Sequence, residues 1–367
     1  MDHEMKIRVL IADDSYFVRR YLHELLSQDA DIAVVGEAKD GVEVVAMAAE
    51  LHPDVITMDY RMPRKNGLDA TAEIMLGSRP LPAVIILSAF AGTDGRETLE
   101  RLRSAGALVI EKPSGEVSLD IDRIADEIVT TVKKVGDVQR RIRMYARALV
   151  ARAGRATPIR KHSAPLAVVV IGASTGGPPL VEHLLATLGE EESAAFVIVQ
   201  HMSKYFTELF SERLDRLAPM PVHEAKEGEE LLPGTITVVP GNSAVTFDRG
   251  AEGGPHIRLH VVELPERRDE HAIDLTMRSA ADLFGPATIG MVLSGMGSDG
   301  TDGLAAIKEA KGSTFAQDPL SATVSSMPES AISAGIVDRI LGIEEMPSTL
   351  GLAIRRAVKG EGIEEVM

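Results

Sequence analysis

The stretch Ala167-Val168-Val169-Val170-Ile171-Gly172-Ala173-Ser174-Thr175-Gly176-Gly177-Pro178 decides how the second half of the chain folds. An unbroken β-branched run reads as a strand buried on both faces, and small residues followed by Pro read as a tight turn opening a helix. Strand, turn and helix in that order build a parallel sheet covered by helices. The same alternation continues downstream, with strands expected at 167–172, 195–200, 288–293, 313–316 and 336–340. Helices are expected at 178–188, 205–217, 273–284, 301–310 and 347–358. Residues 221–263 interrupt it and read as antiparallel. There Pro233-Gly234 leads into a strand at 235–239, Pro240-Gly241-Asn242 turns into 244–248, and the 250–255 turn precedes 257–262.

The first half repeats the theme. Apolar strands at 8–11, 32–36, 55–58, 83–87 and 108–110 are each followed by a helical pattern. The last pattern is the clearest: Ile121, Ile124, Ala125, Ile128, Val132 and Val135 recur at helical spacing. Between the halves, Arg140, Arg141, Arg143, Arg147, Arg152, Arg155, Arg160 and Lys161 crowd one segment that ends in Ala164-Pro165. It reads as a partly helical linker lying on acidic surfaces, with a nucleic-acid arm as the lesser alternative. The expectation is an α/β protein of two doubly wound parallel-sheet domains. An N-terminal (βα)5 domain spans 6–136, a basic linker 137–164, and a Rossmann-like domain with a β-hairpin insertion 165–358.

Composition sets outer limits. The 367 residues suffice for two cores, and 45% hydrophobic with 26% charged residues is ordinary for a globular protein. A formal net charge of −16 disfavours broad binding to nucleic acid or anionic membrane. Cys is absent, which excludes disulfides, thiol nucleophiles and Cys-ligated zinc. No apolar run approaches the ~20 residues of a membrane span, and residues 1–6 lack the apolar core of a secretory signal. These features predict a cytoplasmic protein without membrane insertion.

Two sites follow from where the polar residues fall. In the first half Asp13, Asp14, Asp59, Ser88 and Lys112 all come at strand carboxyl ends, where parallel sheets collect ligands. Carboxylates from neighbouring strands make a hard oxygen site suited to Mg²⁺, and Asp59 can act as nucleophile toward a phosphoryl donor beside the Lys112 charge. Acids at strand ends can also simply cap helices, which is all that Asp14 before Ser15 requires. In addition, residues 59–67 (Asp-Tyr-Arg-Met-Pro-Arg-Lys-Asn-Gly) resemble the loop after the phosphorylated Asp of response-regulator receiver domains. That resemblance implies Asp59 as phosphoacceptor, Asp13, Asp14 and Asp59 as Mg²⁺ ligands, Ser88 as switch hydroxyl and Lys112 as phosphoryl contact. Val109 stands where receivers often carry an aromatic, so a signal carried by a rotating ring is not expected here.

In the second half, Ser174 sits in a Gly-x-Ser-x-Gly turn between strand and helix. The helix start is expected to add free N–H groups and a positive dipole end useful to an oxyanion. By itself the pattern is equally a plain βα turn. His201 follows the strand at 195–200, and Asp299 follows the one at 288–293, so Ser, His and Asp meet at one sheet edge where a relay can form. Gly295-x-Gly297-x-x-Gly300 also matches a dinucleotide fingerprint. It comes late in the domain and leaves Ser174 and His201 unexplained.

Together Ile171–Gly177, Val199-Gln200-His201-Met202 with Phe206-Thr207, Ser294-Gly295-Met296-Gly297 with Asp299-Gly300, and Ala316-Gln317-Asp318 resemble the CheB-type protein-glutamate methylesterases. The resemblance covers nearly the whole chain. It implies hydrolysis of γ-glutamyl methyl esters on chemoreceptors (methyl-accepting proteins), with glutamine deamidation, and a sensor histidine kinase as phosphodonor. It assigns Ser174 as nucleophile, His201 as base, Asp299 as its orienting acid, and the Met296 N–H as oxyanion donor supported by Thr175. No cofactor is expected for the ester reaction. Departures fall at Ser203, at Asn242-Ser243-Ala244 and at Arg268 to Asp274, regions that face substrate. Two alternatives stay open: a substrate outside chemotaxis, and a docking platform in which Ser174 is structural. Joining a phosphorylation switch to a hydrolase further implies that the unphosphorylated receiver restrains the esterase.

Overall fold

The computed structural model describes residues 6–77, 82–88, 108–112, 124–150, 165–249, 256–265 and 271–359. The helix expected after 83–87, the 250–255 turn, Arg268 to Glu270 and the basic residues beyond Val150 lie outside these. The chain divides into two compact units, residues 1–152 and 153–367.

In the first unit β1 (Ile7–Ala12), β2 (Ile32–Ala38), β3 (Val55–Asp59), β4 (Ala83–Ser88) and β5 (Leu108–Glu111) form one sheet in the order β2-β1-β3-β4-β5. Every pairing is parallel. The order reverses beside β1, so a crevice opens over the carboxyl ends of β1 and β3. Around it run α1 (Tyr16–Ser27), α2 (Gly41–Leu51), α3 (Gly67–Leu76) and α4 (Ala125–Val150). Asp40 and Asn66 cap α2 and α3 through their own carboxylate and amide oxygens. Ile128, Val132 and Val135 are buried, as their spacing requires. Helix α4 continues through the first half of the expected linker, with Arg140 paired to Asp137 at 2.9 Å, so the basic stretch begins as an extension of the first unit's last helix.

The second unit carries a seven-stranded, all-parallel sheet. Its strands are β6 (Ala167–Ala173), β7 (Ala194–Gln200), β8 (Val222–Glu224), β9 (Ile236–Val238), β12 (Thr288–Val292), β13 (Ser313–Gln317) and β14 (Arg339–Leu341), in the order β14-β13-β12-β6-β7-β9-β8. A separate antiparallel hairpin joins β10 (Ser243–Asp248) to β11 (Arg258–Glu263). The segment at 235–239 therefore does not join the hairpin as its turn residues suggest. It is buried throughout, which is the condition of a parallel strand covered on both faces, and it pairs with β7 and β8. The chain leaves the sheet at Asn242, whose positive φ of 57° makes the bend.

Helices α5 (Gly177–Thr187), α6 (Lys204–Asp215), α7 (Ala272–Phe284), α8 (Thr301–Glu309), α9 (Ser326–Ser333) and α10 (Met346–Lys359) cover this sheet. The expected strand at 336–340 begins three residues later, because Gly335 at φ 70° still belongs to the turn and Asp338 is tied back to Thr314. Among the described residues no helix is long and apolar enough to cross a membrane.

One buried ion pair fixes two of the covering helices. Arg213 on α6 meets both oxygens of Glu182 on α5, with Nη2 to Oε2 at 2.6 Å, and both side chains are almost fully enclosed. Two charges out of water repay their desolvation only as a pair. An Arg213→Leu chain should lose about 3–5 kcal/mol in urea denaturation by stranding the Glu182 carboxylate, and Glu182→Leu/Arg213→Leu should recover most of it.

Candidate functional site

The first unit's crevice holds a three-residue electrostatic cluster. Lys112, just past β5, reaches Asp13 Oδ2 at 2.6 Å and Asp59 Oδ1 at 2.8 Å. Both carboxylates are buried. Burial pushes the Asp59 carboxyl above its ordinary range, against the pull of the Lys112 ammonium. Lys112 is itself desolvated, yet Asp13 and Asp59 together hold its proton above the usual lysine value. The Arg61 N–H donates to Asp59 Oδ2 at 2.9 Å and fixes the other face of that carboxylate.

Asp14 is exposed and is not the cap of α1, since Ser15 accepts the Val18 N–H and fills that role. The capping explanation for Asp14 therefore falls away. Ser88 closes β4 in register with Glu111. Val109 is half-buried and packs on the core beneath the sheet instead of standing free. Asp13, Asp14 and Asp59 offer hard oxygen donors of which one is open to water, a set that fits a divalent cation.

In the second unit the strand order turns at β6, whose neighbours β7 and β12 carry the chain in opposite directions. The loops after these three strands are stitched together. The His201 N–H bonds to Ala173 O at 2.9 Å, the Ser174 N–H to Ser294 O at 3.0 Å, and Ser294 Oγ to Thr175 O at 2.8 Å. Gln200 Nε2 donates to Ser174 O at 2.9 Å and His201 O at 3.2 Å, binding the first two loops from below. The sequence pattern includes Gln200 but gives no hint of this stapling. Gly295 permits the closeness, for a Cβ there would lie 2.0 Å from Met327 Sδ and 2.7 Å from Ser174 Cβ.

Ser174 and Thr175 are each only 6% exposed. His201 Nε2 lies 2.7 Å from Asp299 Oδ2. A carboxylate only accepts, so Nε2 carries the proton and Nδ1 is left with the lone pair that can take one. This is the reverse of the ring assignment in the Ser-His-Asp template, where the acid holds Nδ1. Asp299 is buried and accepts two further bonds, from Ile273 N at 3.0 Å and Asp274 N at 2.9 Å.

The oxyanion expectation needs one correction. Helix α5 starts Gly177-Pro178-Pro179, so two of its first positions have no N–H, and the Gly177 N–H is already bonded to Ser174 O at 2.8 Å. The helix start contributes its dipole but no spare donors. Among the described residues nothing accepts from the backbone N–H of Thr175 or Met296, and Met296 is 51% exposed in the loop after β12. Both N–H groups lie in loops at this edge.

Asp274 is the site residue that motif reading misses. It is buried, its Oδ1 accepts from Gly300 N at 2.9 Å and Gly303 N at 2.6 Å, and its neighbour across the gap is Asp299. Burial first, and then the Asp299 charge, push its carboxyl up to about 6 despite those two N–H bonds. Gly300 gave the available signal: a helix opened by glycine has no side-chain cap of its own and needs one from elsewhere.

The folded-state pKa of Asp274 is raised, so its contribution to stability is complete below the ordinary Asp range and is lost as pH rises through about 6. Asp274→Asn should therefore melt higher relative to the parent at about pH 8 than at about pH 4. A melting difference that stays constant across that interval would contradict the burial argument.

Comparison with known proteins follows the same division. A family model described as CheB methylesterase matches residues 169–350, and one described as response regulator receiver domain matches residues 9–120. A Pyrococcus abyssi protein named protein-glutamate methylesterase/protein-glutamine glutaminase is 37% identical over 360 residues, covering 97% of this chain and 96% of that one. A Pyrococcus horikoshii protein of the same name is 35% identical over 361 residues, with 97% and 96% covered. Among solved structures, the Thermotoga maritima CheB methylesterase catalytic domain matches at 32% identity and a TM-score of 0.47, covering 50% of this chain and 96% of that one.

Proposed function

Since the chain belongs to the CheB methylesterase family, joined to a receiver domain, we propose that Ser174, His201 and Asp299 hydrolyse γ-glutamyl methyl esters, and deamidate glutamines, on chemoreceptors. The observation that carries the assignment is the 2.7 Å bond from His201 Nε2 to Asp299 at the edge where Ser174 sits.

The chemistry follows from that ring orientation. Ser174 Oγ attacks the γ-carbonyl carbon while its proton passes to His201 Nδ1. The imidazolium keeps Nε2–H on Asp299, whose carboxylate stabilises the new charge without taking the proton. The tetrahedral oxyanion is held by the Met296 N–H, with Thr175 beside it. Collapse breaks the bond to methoxide, which leaves as methanol with the Nδ1 proton; from a glutamine side chain the leaving group is ammonia. Water then attacks the acyl-Ser174, losing its proton to Nδ1, and a second collapse returns Ser174 Oγ–H and a free glutamate. Atoms and protons balance within the site and the added water.

The receiver regulates this reaction through phosphorylation by a kinase acting as phosphodonor. Within it Asp59 is the phosphoacceptor, Asp13, Asp14 and Asp59 would hold Mg²⁺, Lys112 contacts the phosphoryl oxygens, and Ser88 is the switch hydroxyl. When bound, the metal offsets negative charge on the transferring phosphoryl group. Lys112 already bridges the buried pair Asp13 and Asp59 and offsets part of their charge, so it is placed to follow charge that appears on Asp59.

Methanol release from methylated receptor fragments tests the ester site. Ser174→Ala and His201→Ala should each lower kcat by about 10⁴-fold or more while leaving the melting temperature near the parent's. Activity retained in a folded Ser174→Ala chain would reject the assignment.

A further inference from the structure

Helices α7 and α8 exchange carboxylates. Asp299, one residue before the α8 N-cap Gly300, accepts from Ile273 N and Asp274 N in the first turn of α7. Asp274, in that same turn, accepts from Gly300 N and Gly303 N at the start of α8. Neither helix is capped by its own N-cap side chain: Gly300 has none, and His271 makes no capping bond. Each acid therefore caps the other's helix. The two helices also touch closely, since a Cβ on Gly303 would lie 2.6 Å from Met277 Cβ and 3.1 Å from Asp274 Cα.

The consequence concerns Asp299. Its two oxygens already accept bonds from His201 and from two backbone N–H groups, so their direction depends on where the Asp299-Gly300 backbone lies. That backbone is held by the Asp274 carboxylate. We propose that Asp274 is a positioning residue for ester hydrolysis, fixing the Asp299 carboxylate, and through it the His201 ring, by clamping Gly300 and Gly303. This inference rests on the assignment of Ser174, His201 and Asp299 given above.

Arrangement and charge argue for a positioning role over a cation site. His271, Asp274 and Asp299 each bring a possible ligand atom within 4.8 Å of the others. However, Asp274 and Asp299 point oxygens at backbone N–H groups, which an ion would have to displace. The charged groups facing Asp274 are Asp299 from the β12–α8 loop, Asp302 on α8, which is paired with Arg278, and His271, with Nδ1 3.6 Å from Oδ2. Hydrogen bonds to an ionised carboxylate are shorter and roughly twice as strong as those to a neutral group. The clamp is thus tightest with Asp274 ionised. Because its carboxyl titrates at about 6, the loop loosens as pH falls through that value.

The test uses the full-length chain, phosphodonor-activated, with methanol release from methylated receptor fragments followed across pH. Asp274→Ala should lower kcat by about 10- to 100-fold with KM within about twofold, as expected for a displaced relay. Asp274→Asn keeps an acceptor for both N–H groups. Being neutral at every pH, it should match the parent below about pH 6, fall behind it above that value, and stay more active than the Ala variant throughout. An Ala variant within about twofold of the parent's kcat, or an Asn variant no more active than the Ala variant, overturns the proposal. Ser174→Ala in the same assay separates the two claims: if it stays active, the site assignment itself has failed.

Discussion

Strand β6 is buried along its whole length between two parallel neighbours, and that constraint organises the second unit. A strand that presents apolar side chains to helices on both faces has only its ends for polar work. In a parallel sheet all carboxyl ends lie on one edge, so the residues that follow β6, β7 and β12 converge there. The chain spends its irregular backbone at that edge and satisfies it locally. Each loop's orphan groups bond to the next loop, from His201 N to Ala173 O and from Ser174 N to Ser294 O. Sheet geometry thus brings the hydroxyl, the imidazole and the acid to one edge, and local hydrogen bonds orient them there.

Both units treat charge the same way. A carboxylate removed from water is given a specific charged or imidazole partner and backbone donors. In the first unit Lys112 offsets Asp13 and Asp59 while Asp14 stays in solvent. In the second, Asp299 is saturated by His201 and two N–H groups, while Asp274 beside it, on the neighbouring helix, has its carboxyl pushed up by burial and by the Asp299 charge. The cost of order in the active loop thus appears as a strained titration behind it.

Much of this was legible in the sequence, because the relevant signals are local. The Val and Ile run at 168–171, β-branched throughout and closed by a Gly-rich turn, reads as a doubly covered strand, and the acids, Ser, His and Lys stand directly after such runs. The parts that stayed hidden depend on distance along the chain. The Pro-Gly turns at 233–241 look alike whether the next strand pairs forward or slots beside β7, and only burial on both faces decides it. The prolines after Ser174 were visible, yet their missing N–H groups matter only once Gly177 is seen bonded to Ser174 O. Asp274 lies 25 residues before Asp299, and no spacing rule links a helix's third residue to another helix's cap.

The chain joins a phosphorylation switch to an esterase, so that the first governs the second. The most direct test is methanol release by the full-length chain with and without a small phosphodonor and Mg²⁺, alongside Asp59→Asn. The account predicts a rate that rises with phosphodonor in the parent and does not respond in the variant. A parent whose Asp59 is phosphorylated while its rate stays unchanged would contradict it.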